Sequence, residues 1–335
     1  MNKTVEYIFE KGLDEKKLIL SISLIQRRTC LNFVESRDSP AFNGTLFKRG
    51  KKCMATADLA GKYVTYSIHL NNTCMERDMI LKLIYLNTQL RYEFAKCLGK
   101  HQGNITDNNM PDVMRTYNCF FYNDLKDYMK FDLDPKTVYA FPKKYSLTNN
   151  IEPKTLEQRN YAAELSFTDL KGLDGKICKD ECKKYSPVTC KNSGFRNSAK
   201  CDSCVCPFFY NGRKCEKLVK PKKSHYCGSQ YKTAKRNTNT QVLDINAECY
   251  YKIKPYYKKR KVQVKFTPIG GPIRWPCNSS KILEVKYEKD KSKDGVMPCG
   301  QMKEFTVKSD KGVSVLVYHD KIGTNFKIKM QYKAF

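Results

Sequence analysis

The sequence is short of acid, of histidine and of long apolar runs, and each shortage narrows what the chain can do. Thirty-four acidic side chains stand against 62 basic ones over 335 residues, a net charge of +28. That balance favours polyanionic partners, although a soluble lysine-rich surface accounts equally well for any single charge run. The four histidines, His69, His101, His225 and His319, are scattered, and no two stand four apart. A helical two-histidine metal site is therefore not written in this chain. No Ser/His/Asp order stands out and no glycine-rich phosphate loop exists. No run of 18 apolar residues occurs, so no membrane span is expected. The start, MNKTVEYIFEKG, has no apolar core of signal length, so a signal is expected to have been removed or the start to be incomplete. The single tryptophan, Trp275 in GGPIRWPC, reads as packing beside a turn.

Cysteine is abundant. Sixteen cysteines, an even number, run from Cys30 to Cys299 and imply disulfides formed in an oxidising compartment. Asn-x-Ser/Thr acceptors at Asn2, Asn43, Asn71, Asn104 and Asn278 agree with that setting. A secreted, extracellular chain is expected, with sulfated glycans or anionic surfaces as its available polyanions and no nucleic acid.

The chain divides into segments. Residues 1–178 open with the extended stretch VEYIFEKG, then LILSISLIQRRTCLNFVES, a helix running into a strand. GKKCMATADLAGKYVTYSIHL reads as strands, with Val64, Tyr66 and Ile68 alternating toward one face. CMERDMILKLIYLNTQLRYEFAKC, Cys74 to Cys97, carries Ile80, Leu83, Ile84, Leu90 and Phe94 at helical spacing. GKHQGNITDNNMPD is turn-rich, and a less regular half follows, which suits an α+β domain. Residues 179–216 hold six cysteines within 34 residues, Cys182 to Cys215. Cys204-x-Cys206 followed by Pro207, Gly212 and Cys215 resembles an epidermal-growth-factor-like module, too small to stand without its disulfides. The rival, a zinc knuckle from Cys201-x2-Cys204, lacks histidine. That resemblance implies pairs Cys182–Cys201, Cys190–Cys204 and Cys206–Cys215. Residues 217–226 form a basic linker. Residues 227–335 carry KVQVKF, ILEVKY, EFTVKS, VSVLVYH and FKIKMQY, short alternating strands of an antiparallel sandwich. With Cys227–Cys249 and Cys277–Cys299 as consecutive pairs, this segment resembles a CUB domain.

The order of the three segments, and motifs in the first, resemble the nematode astacins, secreted zinc metallopeptidases of the metzincin clan. TCLNF, Thr29–Phe33, resembles the family's Thr-Cys-x-x-Phe strand. DYMKF, Asp127–Phe131, resembles its Met-turn, with Met129 kept. AFPKKYSLTNNIEP resembles the segment that follows, and LSFTDLKGLDGKIC the closing helix, with Leu165, Ser166 and Asp169 in place. The resemblance implies an astacin-like α+β domain and the pairs Cys30–Cys178 and Cys53–Cys74. Cys97 and Cys119 are additional; they bracket the turn-rich loop and are expected to close it.

An active family member carries HExxHxxGxxH. Two histidines on one helix face bind zinc, the glutamate takes a proton from the bound water, and the glycine turns the chain so that a third histidine can return. The first histidine lies eight residues after the second cysteine of the internal pair. That places Lys82 at the first ligand, Leu83 at the catalytic glutamate, Leu86 at the second ligand, Gln89 at the glycine and Tyr92 at the third ligand. Glu93 matches the glutamate that follows. Phe131 replaces the tyrosine of the Met-turn. Lysine is protonated and repels a dication, and leucine has no lone pair, so neither zinc nor peptidase activity is expected, and no cofactor is predicted. A site rebuilt from His69, His101 or Tyr92 would be poor. Lys82 is expected to reach from a filled cleft to solvent, the other reading being a pair with Glu93 or another acid.

Two further stretches stand out. YYKIKPYYKKRK, Tyr250–Lys261, mixes six basic residues with four tyrosines. It reads as a strand and loop with tyrosines in the sandwich and lysines outside, and with polyanion binding as a secondary property. In many CUB domains an acid stands three positions before the glutamate of a Leu-Glu-Val strand and helps hold calcium. At Leu283-Glu284-Val285 that position is Lys281, so no calcium site is expected, and Glu288, Asp290 and Asp294 read as a charged surface loop. The sequence therefore suggests a catalytically inactive astacin relative that binds extracellular proteins or peptides. A family-type zinc metalloendopeptidase is the alternative, and a basic glycan- or matrix-binding protein is the third reading.

Overall fold

The computed structural model describes residues 3–36, 44–60, 63–99, 151–152, 165–270, 274–275, 282–321 and 326–335. Met129, Phe131, His101, Cys97–Cys119, Cys277, Lys281 and the acceptors Asn2, Asn43, Asn104 and Asn278 lie outside the residues or side chains so described. The described residues group into two compact units. One draws on Met1–Val138, Tyr161–Pro187 and Asn197–Asp202, the other on Tyr139–Asn160, Val188–Arg196 and Ser203–Phe335.

In the first unit, β1 (Thr4–Phe9), β2 (Asn32–Glu35), β3 (Thr45–Arg49), β4 (Met54–Ala60) and β5 (Tyr63–Leu70) form one sheet in the order β2-β1-β3-β5-β4. Four strands run parallel and β4 pairs antiparallel with β5 at the edge. Parallel neighbours need crossover connections. The first is α1 (Glu15–Gln26), started by Asp14, whose side chain accepts from the Lys17 amide at 3.3 Å. Leu18, Ile22 and Ile25 recur at helical spacing and are buried. They share one core with Phe47, Tyr66 and Ile68 of the sheet and with Ile80, Leu83 and Phe94 of α2 (Arg77–Gly99). Cys30–Cys178 joins the end of this unit to its beginning across 148 residues. A loop of that length restricts the unfolded chain by about 5 kcal/mol in the loop-entropy account. Cys53–Cys74 ties the start of β4 to the approach of α2.

The second unit contains β6 (Ile151–Glu152), β7 (Phe195–Arg196), β8 (Cys204–Val205), β9 (Tyr210–Asn211), β10 (Lys217–Leu218), β11 (Tyr231–Ala234), β12 (Asn239–Asp244), β13 (Cys249–Pro255), β14 (Val262–Ile269), β15 (Arg274–Trp275), β16 (Leu283–Lys286), β17 (Gly300–Gln301), β18 (Phe305–Lys308), β19 (Val315–His319) and β20 (Lys327–Ala334). Two sheets, β11-β13-β19-β16 and β12-β20-β14-β18-β6, build the all-β sandwich. Strict alternation drives it: Val262, Val264 and Phe266 of β14 are buried while Gln263, Lys265 and Thr267 are not. Phe266 stacks on Phe305 at 4.8 Å, and Val285, Val317, Ile328 and Met330 complete the core. β6, from a segment read as part of the first block, pairs its backbone with the edge strand β18. Lys217 and Leu218, read as linker, pair with β9 instead.

The six clustered cysteines pair Cys182–Cys201, Cys190–Cys204 and Cys206–Cys215, which commits Cys201 and Cys204 to disulfides rather than to metal. Within the second unit, Phe209, Tyr210 and Leu218 pack on Tyr250, Leu316 and Tyr318 of the sandwich. Cys227–Cys249 staples the start of β13.

Candidate functional site

Helix α2 is the place where the chemistry implied by the resemblance would sit. A short 3-10 turn, Asn72–Cys74, leads into it. Asn71 caps that turn by accepting from the Thr73 amide at 2.9 Å. Its Nδ2, where a glycan would attach, donates to the Lys51 carbonyl at 3.0 Å, so glycosylation here would compete with that bond and leave the Oδ1 cap in place. Asp78 in the first turn and Lys96 in the last suit the helix dipole.

From Leu83 to Arg91 every residue of α2 is buried. Hydrophobic positions alone would make this an ordinary enclosed helix. Its polar positions have found internal partners. Asn87 Oδ1 accepts from Thr45 at 3.0 Å, and Thr88 donates to the Ile84 carbonyl at 2.8 Å. Arg91 donates to the Gly44 carbonyl at 3.3 Å and lies 4.4 Å from the Tyr66 ring. Burial pushes that guanidinium down to about 10.

Lys82 does not extend into bulk water. Its side chain is 12% exposed, and Nζ donates to Asp169 Oδ2 at 2.8 Å. Nζ also sits 5.0 Å from the Tyr85 ring. This corrects the expectation of a solvent-seeking lysine. The reason is α3 (Phe167–Ile177), which runs alongside α2. Ser166 and Asp169 form a capping box on α3: Asp169 N donates to Ser166 Oγ at 3.0 Å, and Ser166 N donates to Asp169 Oδ2 at 3.1 Å. The same carboxylate oxygen therefore caps one helix and holds the cation of the other.

One heptad along, Lys176 donates to Gln89 Oε1 at 3.4 Å and lies 3.7 Å from Glu93. The two inter-helical hydrogen bonds, Lys82–Asp169 and Gln89–Lys176, each join residues 87 apart in sequence, so the helices run in the same direction in constant register. Glu93 pairs with Lys176 and Lys96 and not with Lys82. Tyr92 lies 6.0 Å from Lys176 Nζ. Asp174, on α3, accepts from Ser198, and burial raises its carboxyl to about 6 despite that bond.

Tested for zinc, these side chains do not fit. Leu83 and Leu86 carry no lone pair, and the Lys82 amine is taken up by a proton and Asp169. Among the described residues no three His, Cys, Asp or Glu side chains are grouped to hold a metal ion. His69 contacts Thr56 at 3.3 Å, His225 lies against Tyr226, and His319 is fully buried in β19. The sequence reading placed Asp169 in the closing-helix motif but missed it as the partner of Lys82. The Ser-x-x-Asp pattern signals the cap, but no local signal joins it to Lys82, which lies 87 residues away.

The Leu283-Glu284-Val285 strand carries a second polar cluster. Glu284 is buried, accepts from Gly295 N at 3.1 Å and lies 3.4 Å from Lys286 Nζ. The loop after it is only partly the charged surface expected. Glu288 pairs with Lys293 at 3.0 Å, and Asp290 Oδ1 accepts from Ser292, but Lys291 turns inward. Its Nζ donates to the carbonyls of Ser314 at 2.7 Å, Lys286 at 3.4 Å and Glu288.

No family model matches the chain. Curated relatives do. It is 22% identical to zinc metalloproteinase nas-36 of Caenorhabditis elegans over 366 residues, covering 98% of this chain and 55% of that protein. It is 28% identical to zinc metalloproteinase nas-34 of the same organism, covering 50% of this chain and 26% of that protein. It is 23% identical to zinc metalloproteinase dpy-31 of Haemonchus contortus, covering 63% and 40% respectively. The chain thus spans about half the length of nas-36 and less of the other two. Among solved structures, the hatching enzyme zinc-protease high choriolytic enzyme 1 of Oryzias latipes aligns at 17% identity and TM-score 0.19, over 24% of this chain and 41% of that one. The CUB1-EGF-CUB2 region of human MASP-1/3 aligns at 18% and 0.25, over 47% and 57%. With its capped closing helix, its three-disulfide module and its β-sandwich, the chain is a homologue of the nematode astacin-family zinc metalloproteinases.

Proposed function

We propose that this chain is a catalytically silent, secreted astacin relative that acts by binding extracellular proteins or peptides. The observation that carries the reading is the Lys82–Asp169 pair, a fixed ammonium at the place of the first zinc ligand. An ammonium held by a carboxylate supplies positive charge without a Lewis acid and without a metal-bound water to deprotonate. Leu83, at the place of the proton acceptor, has no titratable group, and it is part of the hydrophobic core. Among the described residues, six pairs of cysteines joined as disulfides, from Cys30–Cys178 to Cys227–Cys249, support an oxidising compartment. No described helix is long and apolar enough to cross a membrane.

The test is direct. The purified chain is assayed for bound zinc and for cleavage of a general peptide substrate, with and without added zinc and with a chelator. Substoichiometric zinc and no chelator-sensitive cleavage are expected, together with a lower rate of cleavage when the chain is mixed with an active relative and its substrate. Chelator-sensitive cleavage by the chain itself overturns the proposal in favour of the zinc endopeptidase reading.

A further inference from the structure

The stretch Tyr250–Lys261 divides in two in the structure. Tyr250 and Tyr251 point into packed surroundings and are buried. Tyr256 and Tyr257, five residues on, are 57% and 58% exposed and meet edge to face at 4.7 Å. They begin the turn between β13 and β14. That turn is fixed by backbone bonds from three other parts of the second unit. Tyr256 N donates to the Ala234 carbonyl at 2.9 Å, Lys261 N to Phe335 at 3.2 Å, and Gly312 N to Arg260 at 2.9 Å. Gly312 is required there: its φ is +74°, and a Cβ would come within 2.6 Å of the Lys258 carbonyl.

The register of the sheets decides which charges gather at this end. β11 pairs with β13 through Ala234↔Pro255, which brings Lys235 and Arg236 beside the turn. β14 pairs with β20 through Val262↔Ala334, which brings the end of β20. The segments 234–236, 254–261, 310–312 and 333–335 together hold nine lysines and arginines against one acidic side chain, Asp310. Lys235, Arg236, Lys258, Lys259, Arg260 and Lys311 are all exposed, and none forms an ion pair among the described residues. Elsewhere in the same unit lysines do find carboxylates, as Lys265 does with Glu304 at 2.6 Å and Lys293 with Glu288 at 3.0 Å.

We infer that this turn is a binding site for a sulfated polysaccharide. Uncompensated cations on a backbone already fixed by other strands lose little entropy on binding and release counter-ions from a polyanion. Two exposed rings in the same turn add flat apolar area against which a sugar face can lie, which a site for a free anion would not need. Disulfide formation puts the chain where extracellular glycans, rather than nucleic acids, are the abundant polyanions. The inference stands apart from the fate of the zinc helix, because it uses only residues of the second unit.

The experiment uses the full chain, a heparin oligosaccharide as probe, and titration at several salt concentrations. The triple charge reversal Lys258→Glu, Lys259→Glu, Arg260→Glu is compared with a control reversal at exposed positions elsewhere, Lys16→Glu, Lys217→Glu, Lys222→Glu. Circular dichroism and the thermal transition establish that both are folded. The turn variant is expected to lose at least about tenfold in affinity at physiological salt and to lower the salt slope by about two to three, while the control stays within about twofold. Tyr256→Ala with Tyr257→Ala is expected to weaken binding several-fold without changing the salt slope. Equal losses in turn and control variants overturn the site in favour of diffuse charge. Equal or tighter binding of duplex DNA, or of vesicles rich in phosphatidylserine, at the same ionic strength overturns the choice of partner.

Discussion

The helix pair of the first unit and the β13–β14 turn of the second treat positive charge in opposite ways. In the helix pair, Lys82 is 12% exposed and held by a carboxylate that also caps a helix. In the turn, three consecutive cations at Lys258, Lys259 and Arg260 are exposed, and among the described residues they have no carboxylate partner. A compensated cation fixes structure and offers little to a ligand. An uncompensated one contributes nothing to the fold and remains available. Residue type alone does not separate the two cases; what packs beside each cation does.

The sharpest way to probe this contrast is to remove a lysine that the fold has turned inward. The largest effect is expected at Lys291, whose Nζ donates to the carbonyls of Lys286, Glu288 and Ser314, although burial and the neighbouring Lys286 push its amine down to about 7. Lys291→Ala leaves buried acceptors without a donor and is expected to cost about 4 kcal/mol in denaturant unfolding. A cost below about 1 kcal/mol would show that water replaces the ammonium freely.

Acidity separates the two units next. Burial pushes His319 down to about 4, below the ordinary value of 6.5, so the unfolded chain takes up its proton first. Its contribution to stability is present above pH 6.5 and is lost as pH falls toward 4, about 3 kcal/mol in all. Asp174 has the opposite sign. Its raised value of about 6 means that the folded state holds the proton longer, so its contribution is present below about pH 4 and is lost as pH rises through 6. Unfolding followed from pH 7 to pH 4.5 is therefore expected to weaken the second unit relative to the first. His319→Phe should flatten the response of the second unit, and Asp174→Asn that of the first.

A smaller effect sharpens the meaning of the helix pair. Asp169→Ala removes both the cap and the partner of Lys82 and is expected to cost about 2 kcal/mol. Lys82→Met leaves Asp169 bonded to Ser166 N and is expected to cost less than about 1 kcal/mol. Equal costs would mean that the ion pair, and not the cap, accounts for what Asp169 contributes. The smallest effect belongs to the turn. Replacing Lys258 and Lys259 by serine is expected to leave the unfolding midpoint unchanged or slightly raised, since like charges are being separated from one another.

Much of this was legible in the sequence, for identifiable reasons. The strands of the sandwich follow from two-residue alternation in KVQVKF and FKIKMQY, and α2 follows from its apolar spacing. Such periodicities are local. What could not be read are contacts between residues far apart in sequence. Lys82 and Asp169 lie 87 apart, and nothing in either motif names the other. Lys291 sits within the polar run Glu288–Asp294 and looks exposed by composition, yet three carbonyls turn it inward. Tyr256 and Tyr257 look no different from Tyr250 and Tyr251 until the strand ends at Pro255. The correspondence of α2 with the family's zinc motif rests on a register counted from Cys74, a fixed covalent point.

The bond between Cys30 and Cys178 has a practical consequence for anyone handling the protein. Everything from β2 to α3 lies between its two ends. A protease that cuts once anywhere in that stretch therefore releases nothing. The two pieces stay joined, migrate as one on a non-reducing gel and part only when the disulfide is reduced. A preparation can be cleaved throughout and still weigh, apart from one added water, what the intact chain weighs.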